Sequence, residues 1–78
     1  MPQASDPLDA LAPREKEVLA RIVEGQSTKQ MARAMSISNG TVRMYVGNVL
    51  AALGAHSRLE VAAIARREGM LRRLRSES

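Results

Sequence analysis

The sequence predicts an all-α domain on three observations. Apolar residues recur at three- and four-residue spacing in four segments, which is typical of amphipathic helices. No segment alternates polar and apolar residues as a half-buried strand would. Serine caps and glycine stops bracket these segments. With 78 residues, the chain has room for a single small domain.

The ends of the predicted helices follow from their capping residues. Pro13 suits the first position of a helix, and Gly25 suits the position after its end. Serine precedes each of the other three helices, twice with Gln or Glu three residues later as in a capping box. The four predicted helices span about residues 13–24, 27–35 (Ser27 with Gln30), 38–53 (Ser38, then Gly54) and 57–68 (Ser57 with Glu60, then Gly69).

The two ends of the chain lie outside this pattern. Residues 1–10 carry two prolines and two aspartates, so we expect a flexible leader or the remnant of a linker. Residues 71–78 are basic, and we expect them to fray as a tail. The folded domain is therefore predicted at residues 11–70, and the sequence leaves open whether a larger protein surrounds it.

Composition excludes several classes of function. The chain has no Cys and one His, so neither a disulfide nor a metal-ligand set is expected. His56 stands without a thiol, a paired carboxylate or a Gly-rich phosphate loop, which argues against an enzyme, a cofactor or a small-molecule ligand. No signal peptide or membrane span is visible, so a cytoplasmic protein is expected. With one Tyr and neither Phe nor Trp, base stacking on aromatic rings is largely excluded.

Positive charge is concentrated in the second half of the chain. Residues 1–39 hold five basic and five acidic side chains, whereas residues 40–78 hold seven arginines and three glutamates. The whole net charge of +4 therefore lies in the half of the chain that holds helix 3. A localised basic surface favours a polyanionic partner, although ordinary solubilising charge is the alternative interpretation.

Helix 3 has one apolar and one bare face. At about 100° per residue, Val42, Val46 and Val49 form a stripe that Leu50 and Leu53 extend. Water-facing helices usually expose Glu, Lys, Gln and Arg, and each glycine in a helix costs about 1 kcal/mol relative to Ala. The face opposite the apolar stripe lacks those side chains. A bare face of this kind fits a duplex major groove about 12 Å wide, or a second protein surface. The opposite face holds Gly40, Thr41, Met44, Gly47, Asn48 and Ala51, with Arg43 and Tyr45 at its edges.

Taken together, the motifs resemble the LuxR-type (GerE-like) DNA-binding domain of bacterial transcription regulators. The resemblance covers residues 11–70 in order and without gaps. It implies a four-helix domain with a helix-turn-helix in helices 2 and 3, which binds double-stranded DNA as a dimer paired through helix 4. The motifs are Leu11-Ala12-Pro13-Arg14-Glu15, Glu24-Gly25, Ser27-Thr28-Lys29-Gln30-Met31-Ala32, Ile37-Ser38, Thr41-Val42-Arg43, Asn48-Val49-Leu50, Leu53-Gly54 and Ser57-Arg58-Leu59-Glu60.

The resemblance implies roles for individual positions. Arg43, Met44 and Gly47 match positions that reach base edges. Arg43 suits guanine and Met44 a thymine methyl, while Asn48 matches a backbone-contacting position but also suits adenine. Ser27 and Thr28 stand at a helix N-terminus that favours phosphate. We therefore predict base contacts from Arg43, Met44, Gly47 and Asn48, and phosphate contacts from Ser27, Thr28, Lys29, Thr41 and Tyr45.

Some of these residues also have a structural interpretation, and the chain departs from the family pattern at four positions. Thr41 can support the Ser38 cap, and Tyr45 can be partly buried against helix 2. Ala12 replaces the usual capping Thr, so we expect helix 1 to fray or to begin elsewhere. Tyr45 replaces a common His, Ala52 replaces a frequent Lys, and Gly47 offers no side chain. Base reading then depends mainly on Arg43 and Asn48, with DNA shape contributing more of the selectivity.

Helix 4 offers a surface for a second copy. Its core side is predicted to hold Val61, Ile64, Ala65 and Glu68, and its outward side a small apolar strip. Tolerated surface apolarity is the alternative. RNA polymerase is a further candidate partner. Two other functions stay open, a promoter-binding module like region four of a bacterial sigma factor and a helical protein-interaction module without DNA affinity. The predicted dimer residues are Leu59, Ala62, Ala63, Arg66 and Met70.

Overall fold

The computed structural model describes residues 7–76, and every regular element within that range is helical. A short 3-10 turn, Pro7–Ala10, precedes five α-helices. The prediction of an all-α fold is confirmed, and the first four helices agree with their predicted bounds to within one residue at each end. The helices are α1 (Pro13–Val23), α2 (Thr28–Met35), α3 (Asn39–Leu53), α4 (Arg58–Arg67) and α5 (Met70–Ser76).

Helix α1 begins at Pro13 although its N-cap residue has no side-chain acceptor. Glu15 compensates, because its Oε1 accepts the backbone N–H of Ala12 over 2.9 Å. This is one half of a capping box, and proline at the first position loses no helical hydrogen bond. The expectation that the helix would fray or begin elsewhere is therefore wrong about its start.

Serine caps start both α2 and α3, and a left-handed residue ends α2 in the turn between them. Ser27 Oγ accepts the Gln30 N–H and Gln30 Oε1 accepts the Ser27 N–H, so the predicted capping box is formed. Ser36 ends α2 with φ +58°, and the Ile37 N–H then bonds back to the carbonyl of Ala32 over 3.0 Å. Ser38 accepts the Thr41 N–H and starts α3. The sharp reversal sets the two helices of a helix-turn-helix against each other.

Helix α3 lies at the centre of the fold, since it packs against α1, α2, α4 and the N-terminal turn. Val42, Val46 and Val49 are buried as predicted, whereas Leu50 and Leu53 at the ends of the stripe are half-buried. One side of α3 thus faces the core. Every other helix also contributes to the core, among others through Leu19 and Ile22 of α1, Met31 and Met35 of α2, Val61 and Ala65 of α4, and Met70 and Leu74 of α5.

The start of α4 follows the predicted cap. Ser57 Oγ accepts the N–H of Glu60, and Glu60 Oε1 accepts the backbone N–H of His56 over 2.6 Å. That hydrogen bond lowers the pKa of the Glu60 carboxyl below its ordinary value. On the helix itself, Val61 and Ala65 face the core as predicted, whereas Ile64 is only half-buried and Glu68 is exposed.

The chain on both sides of the predicted domain also packs on the core. Residues 70–76 form α5 against α1 and α4, where we expected a fraying tail. Met70 and Leu74 are spaced four apart, so both reach the same side and are buried. Leu8, expected in the leader, is 1% exposed within a turn that contacts α3. Residues 1–6 and 77–78 of the expected leader and tail lie outside the described residues.

No helix within residues 7–76 has both the length and the apolar character needed to cross a bilayer.

Candidate nucleic-acid interface

The outer face of α3 is open to solvent along its length. Met44 is 55% exposed, and Gly47 and Asn48 beside it are exposed as well. A Cβ added at Gly47 would meet no atom within 4 Å. The fold therefore gives no reason for glycine in the middle of this helix. We call Gly40, Met44, Gly47, Asn48 and Ala51 the outer face of α3.

Two of the predicted base-contacting side chains are unengaged. Arg43 and Met44 are exposed, and Arg43 makes no hydrogen bond or ion pair within residues 7–76. Its guanidinium is therefore available to a partner, and a bidentate contact to guanine is the commonest specific contact that arginine makes to DNA.

Asn48 differs, because its side chain is already engaged. Its Nδ2 donates to Glu15 Oε2 over 2.7 Å, although the two residues are 33 positions apart. Glu15 was not among the predicted site residues. Its signals in the sequence were its place at the start of α1 and in the motif of residues 11–15, and the pairing itself depends on how α1 packs against α3.

The predicted phosphate-contacting residues fall into two groups. Ser27 and Lys29 are exposed at the start of α2, where backbone N–H groups and the helix dipole favour anions. The hydroxyl of Thr28 accepts a hydrogen bond from Arg58 Nη2 of α4. Arg58 therefore brings a second positive charge, in addition to Lys29, to the N-terminal end of α2. It was not among the predicted site residues.

Thr41 and Tyr45 are engaged in the fold. Ser38 Oγ donates to Thr41 Oγ1 over 2.9 Å, which matches the interpretation of Thr41 as a cap-supporting residue. Tyr45 is half-buried and packs against the core, as its structural interpretation expected. Both residues lie beside the outer face of α3, and the structure gives each of them a packing or capping role independent of any ligand.

The exposed surface of α2 carries two basic side chains. A shallow depression there is lined by Lys29 and Arg33, with Gln26, Ser27, Gln30 and Ala34 around them. Arg33 is exposed, makes no ion pair within the described residues, and was not predicted as a site residue. Its spacing of four from Lys29 places both charges on one side of α2, and this periodicity was visible in the sequence.

Of the five predicted dimer residues, three are exposed on α4 and two are buried. Leu59, at 81% exposed, lies on the outside of α4, as do Ala63 and Arg66. Ala62 is 7% exposed and Met70 is 1% exposed. The expectation that Met70 lies on the outward side is therefore wrong, because Met70 belongs to α5, which packs against α4. A role of Ala62 in a dimer stays a prediction.

Comparison with known proteins identifies the family. A profile described as "Bacterial regulatory proteins, luxR family" matches residues 9–65, which end before α5. The transcriptional regulatory protein DesR of Bacillus subtilis is 39% identical over 59 residues, covering 76% of this chain and 30% of DesR. The DNA-binding transcriptional activator DevR/DosR of Mycobacterium tuberculosis is 36% identical over 63 residues, covering 81% of this chain and 29% of the relative.

The nitrate/nitrite response regulator protein NarP of Escherichia coli is 39% identical over 54 residues, covering 69% of this chain and 25% of NarP. This chain thus spans less than a third of the length of these relatives. The match includes α1 to the greater part of α4 and the whole helix-turn-helix. The fold, the exposed face of α3 and this match together show that the chain belongs to the luxR family of bacterial regulatory proteins.

Proposed function

We propose that this domain regulates transcription by placing α3 in the major groove of double-stranded promoter DNA. One observation carries the proposal: the outer face of α3 is exposed and without charged side chains, and packing does not explain the glycine at its centre, Gly47. A groove about 12 Å wide admits a helix with such a face. The basic side chains of α2 lie beside it, where a helix-turn-helix meets the phosphate backbone.

The proposal divides the residues by what they contact. Arg43, Met44, Gly47 and Asn48 lie against base edges, which set the sequence preference. The phosphate group is led by Ser27 and Lys29, whose position at the start of α2 fixes the register of the domain on the duplex. The remaining phosphate-contacting residues in the proposal are Thr28, Thr41 and Tyr45.

Binding to labelled duplexes at several salt concentrations tests the proposal. The affinity should fall with a log-log slope of about 0.9 per neutralised phosphate. Arg43→Ala should cost about 1 to 3 kcal/mol and relax the preference at one base pair, because it removes a bidentate base contact. Lys29→Ala is the matched variant, and it should weaken all sequences alike. An equal loss on every duplex for Arg43→Ala contradicts its assigned role.

We propose further that two copies pair through α4 on the DNA. Leu59 is exposed beside a shallow groove lined by Ile22, Val23 and Ala62, so each copy offers both an apolar side chain and a place for one. A two-fold axis makes such a surface self-complementary. The patch is small, so the dimer should depend on DNA. Sedimentation with and without a two-site duplex tests this, and Leu59→Glu should leave one copy per duplex.

The family context suggests the setting. Relatives carry names of response regulators and transcriptional activators, and each is much longer than this chain. We infer that the domain is the DNA-binding output part of such a regulator, acts in the cytoplasm and can contact RNA polymerase. The luxR-family match favours this function over a sigma-type module. Capture of a protein partner without any duplex affinity at low salt would instead favour the interaction module.

A further inference from the structure

One carboxylate joins the start of α1 to the outer face of α3. Glu15 Oε1 accepts the N–H of Ala12 over 2.9 Å, and Glu15 Oε2 accepts Asn48 Nδ2 over 2.7 Å. Each oxygen thus has its own donor, one at the cap of α1 and one on the face proposed to read DNA.

Capping alone does not require a carboxylate at this position. The equivalent position of α2 is Gln30, whose neutral amide accepts the Ser27 N–H over 2.7 Å. Either Glu or Gln completes a capping box. A negative charge beside a surface that meets phosphates also opposes binding, because like charges repel. The second oxygen of Glu15 therefore has a purpose apart from the cap, and the side chain that it contacts is Asn48.

The chemistry of the pair fixes the direction of the Asn48 amide. An ionised carboxylate only accepts hydrogen bonds, so the amide nitrogen of Asn48 must face Glu15. The amide oxygen Oδ1 of Asn48 is then held as the atom that does not face Glu15, and Nδ2 retains a second hydrogen that it can donate. An asparagine presenting both can accept from N6 and donate to N7 of an adenine. An unrestrained amide at an exposed position would instead be free to turn either end outward.

We propose that Glu15 is a positioning residue that sets the preference for adenine at one base pair by fixing the orientation of the Asn48 amide. This inference rests on the proposed function, in which α3 lies in the major groove. Glu15 itself contacts no base in this account and acts through Asn48.

The test is the Glu15→Gln variant, which keeps the size and the capping oxygen of the side chain. With that oxygen on the Ala12 N–H, the amide nitrogen of the new side chain faces Asn48 and can only donate, so Asn48 must turn its Oδ1 towards it and the fixed orientation is reversed. The base pair that Asn48 reads is first located as the position whose preference disappears in Asn48→Ala. On duplexes that carry each of the four bases there, Glu15→Gln should lose about ten-fold of the discrimination, within the range that one bidentate contact supplies.

Three further results are expected. Discrimination at the other base pairs should be unchanged, and affinity for a non-specific duplex at low salt should be equal or higher, because a negative charge is removed. Added to Asn48→Ala, Glu15→Gln should cause no further loss of discrimination. The matched control is Glu60→Gln, the same change at the equivalent position of α4, which should leave discrimination intact.

A merely structural role predicts a different pattern. Loss of affinity on all duplexes alike in Glu15→Gln, or an unchanged preference for adenine, overturns the inference while the wild-type domain still binds DNA selectively. Thermal unfolding of the variant separates a loss of fold from a loss of discrimination. A wild-type domain that binds no duplex overturns the proposed function, and the inference with it.

Discussion

Gly47 stands in the middle of the outer face of α3, and substitutions there separate folding from DNA binding. A Cβ at this position meets nothing within 4 Å, so Gln, Glu and Lys all fit the free protein. Each of them is a better helix former than glycine. The free energy of unfolding should therefore rise by about 0.7 kcal/mol, which is roughly 3 to 5 °C in Tm for a domain of this size.

The three variants should bind DNA very differently. A groove about 12 Å wide places its phosphate-bearing walls roughly 6 Å from a side chain at the centre of the helix. At that distance a unit charge in water interacts with one phosphate by about 0.7 kcal/mol. Relative to Gly47→Gln, we expect Gly47→Glu to bind about three-fold more weakly and Gly47→Lys about three-fold more tightly, a ten-fold span at low salt.

Fluorescence anisotropy on a labelled duplex at low and high salt measures this span, which should shrink as salt rises. The control is the same charge series at Glu68 on the C-terminal end of α4, using the wild type, Glu68→Gln and Glu68→Lys. Its span should be clearly smaller than that of the Gly47 series, since Glu68 follows α4, away from the outer face of α3, and a charge interaction weakens with distance. If the folded Gly47 variants bind within two-fold of one another, α3 does not lie in a groove.

Other predictions concern the fold. Gly54→Ala should lower the free energy of unfolding by about 1 to 2 kcal/mol, because Gly54 ends α3 with φ +66°, whereas any side chain at Gly47 should raise it. Met70→Ala should cost about 2 to 5 kcal/mol in chemical denaturation if α5 belongs to the core, and almost nothing if this segment frays. Because folding lowers the pKa of Glu60, its ionised carboxylate stabilises the fold at pH values above the ordinary pKa of 4.5. That contribution is lost as the pH falls through the lowered pKa. Glu60→Gln should therefore flatten the stability profile on the acid side.

Short-range patterns in the sequence predicted most of the fold. The caps at Ser27, Ser38 and Ser57 act over three residues, so their partners can be found by counting along the chain. The buried stripe of α3 repeats with the helical period, and its opposite face was therefore predictable as well. These local signals were sufficient for four helices and for the exposed position of Met44 and Gly47.

Features that depend on packing between distant segments were not predictable. Met70 and Leu74 are four apart, but the arginines between and after them made the segment look like a solvated tail. The Glu15 to Asn48 hydrogen bond joins residues 33 apart, and the Arg58 to Thr28 hydrogen bond joins residues 30 apart. Neither pair has a local signature, since each exists only once the helices are docked.

The most direct test of the central claim is to follow the backbone amide resonances of the domain as an unlabelled duplex is added. If α3 lies in the groove, the largest shifts should occur at Met44, Gly47 and Asn48, with smaller shifts at Ser27 and Lys29. The opposite result is a duplex that shifts resonances of α4 or α5 and leaves the outer face of α3 unchanged. That result would contradict the account.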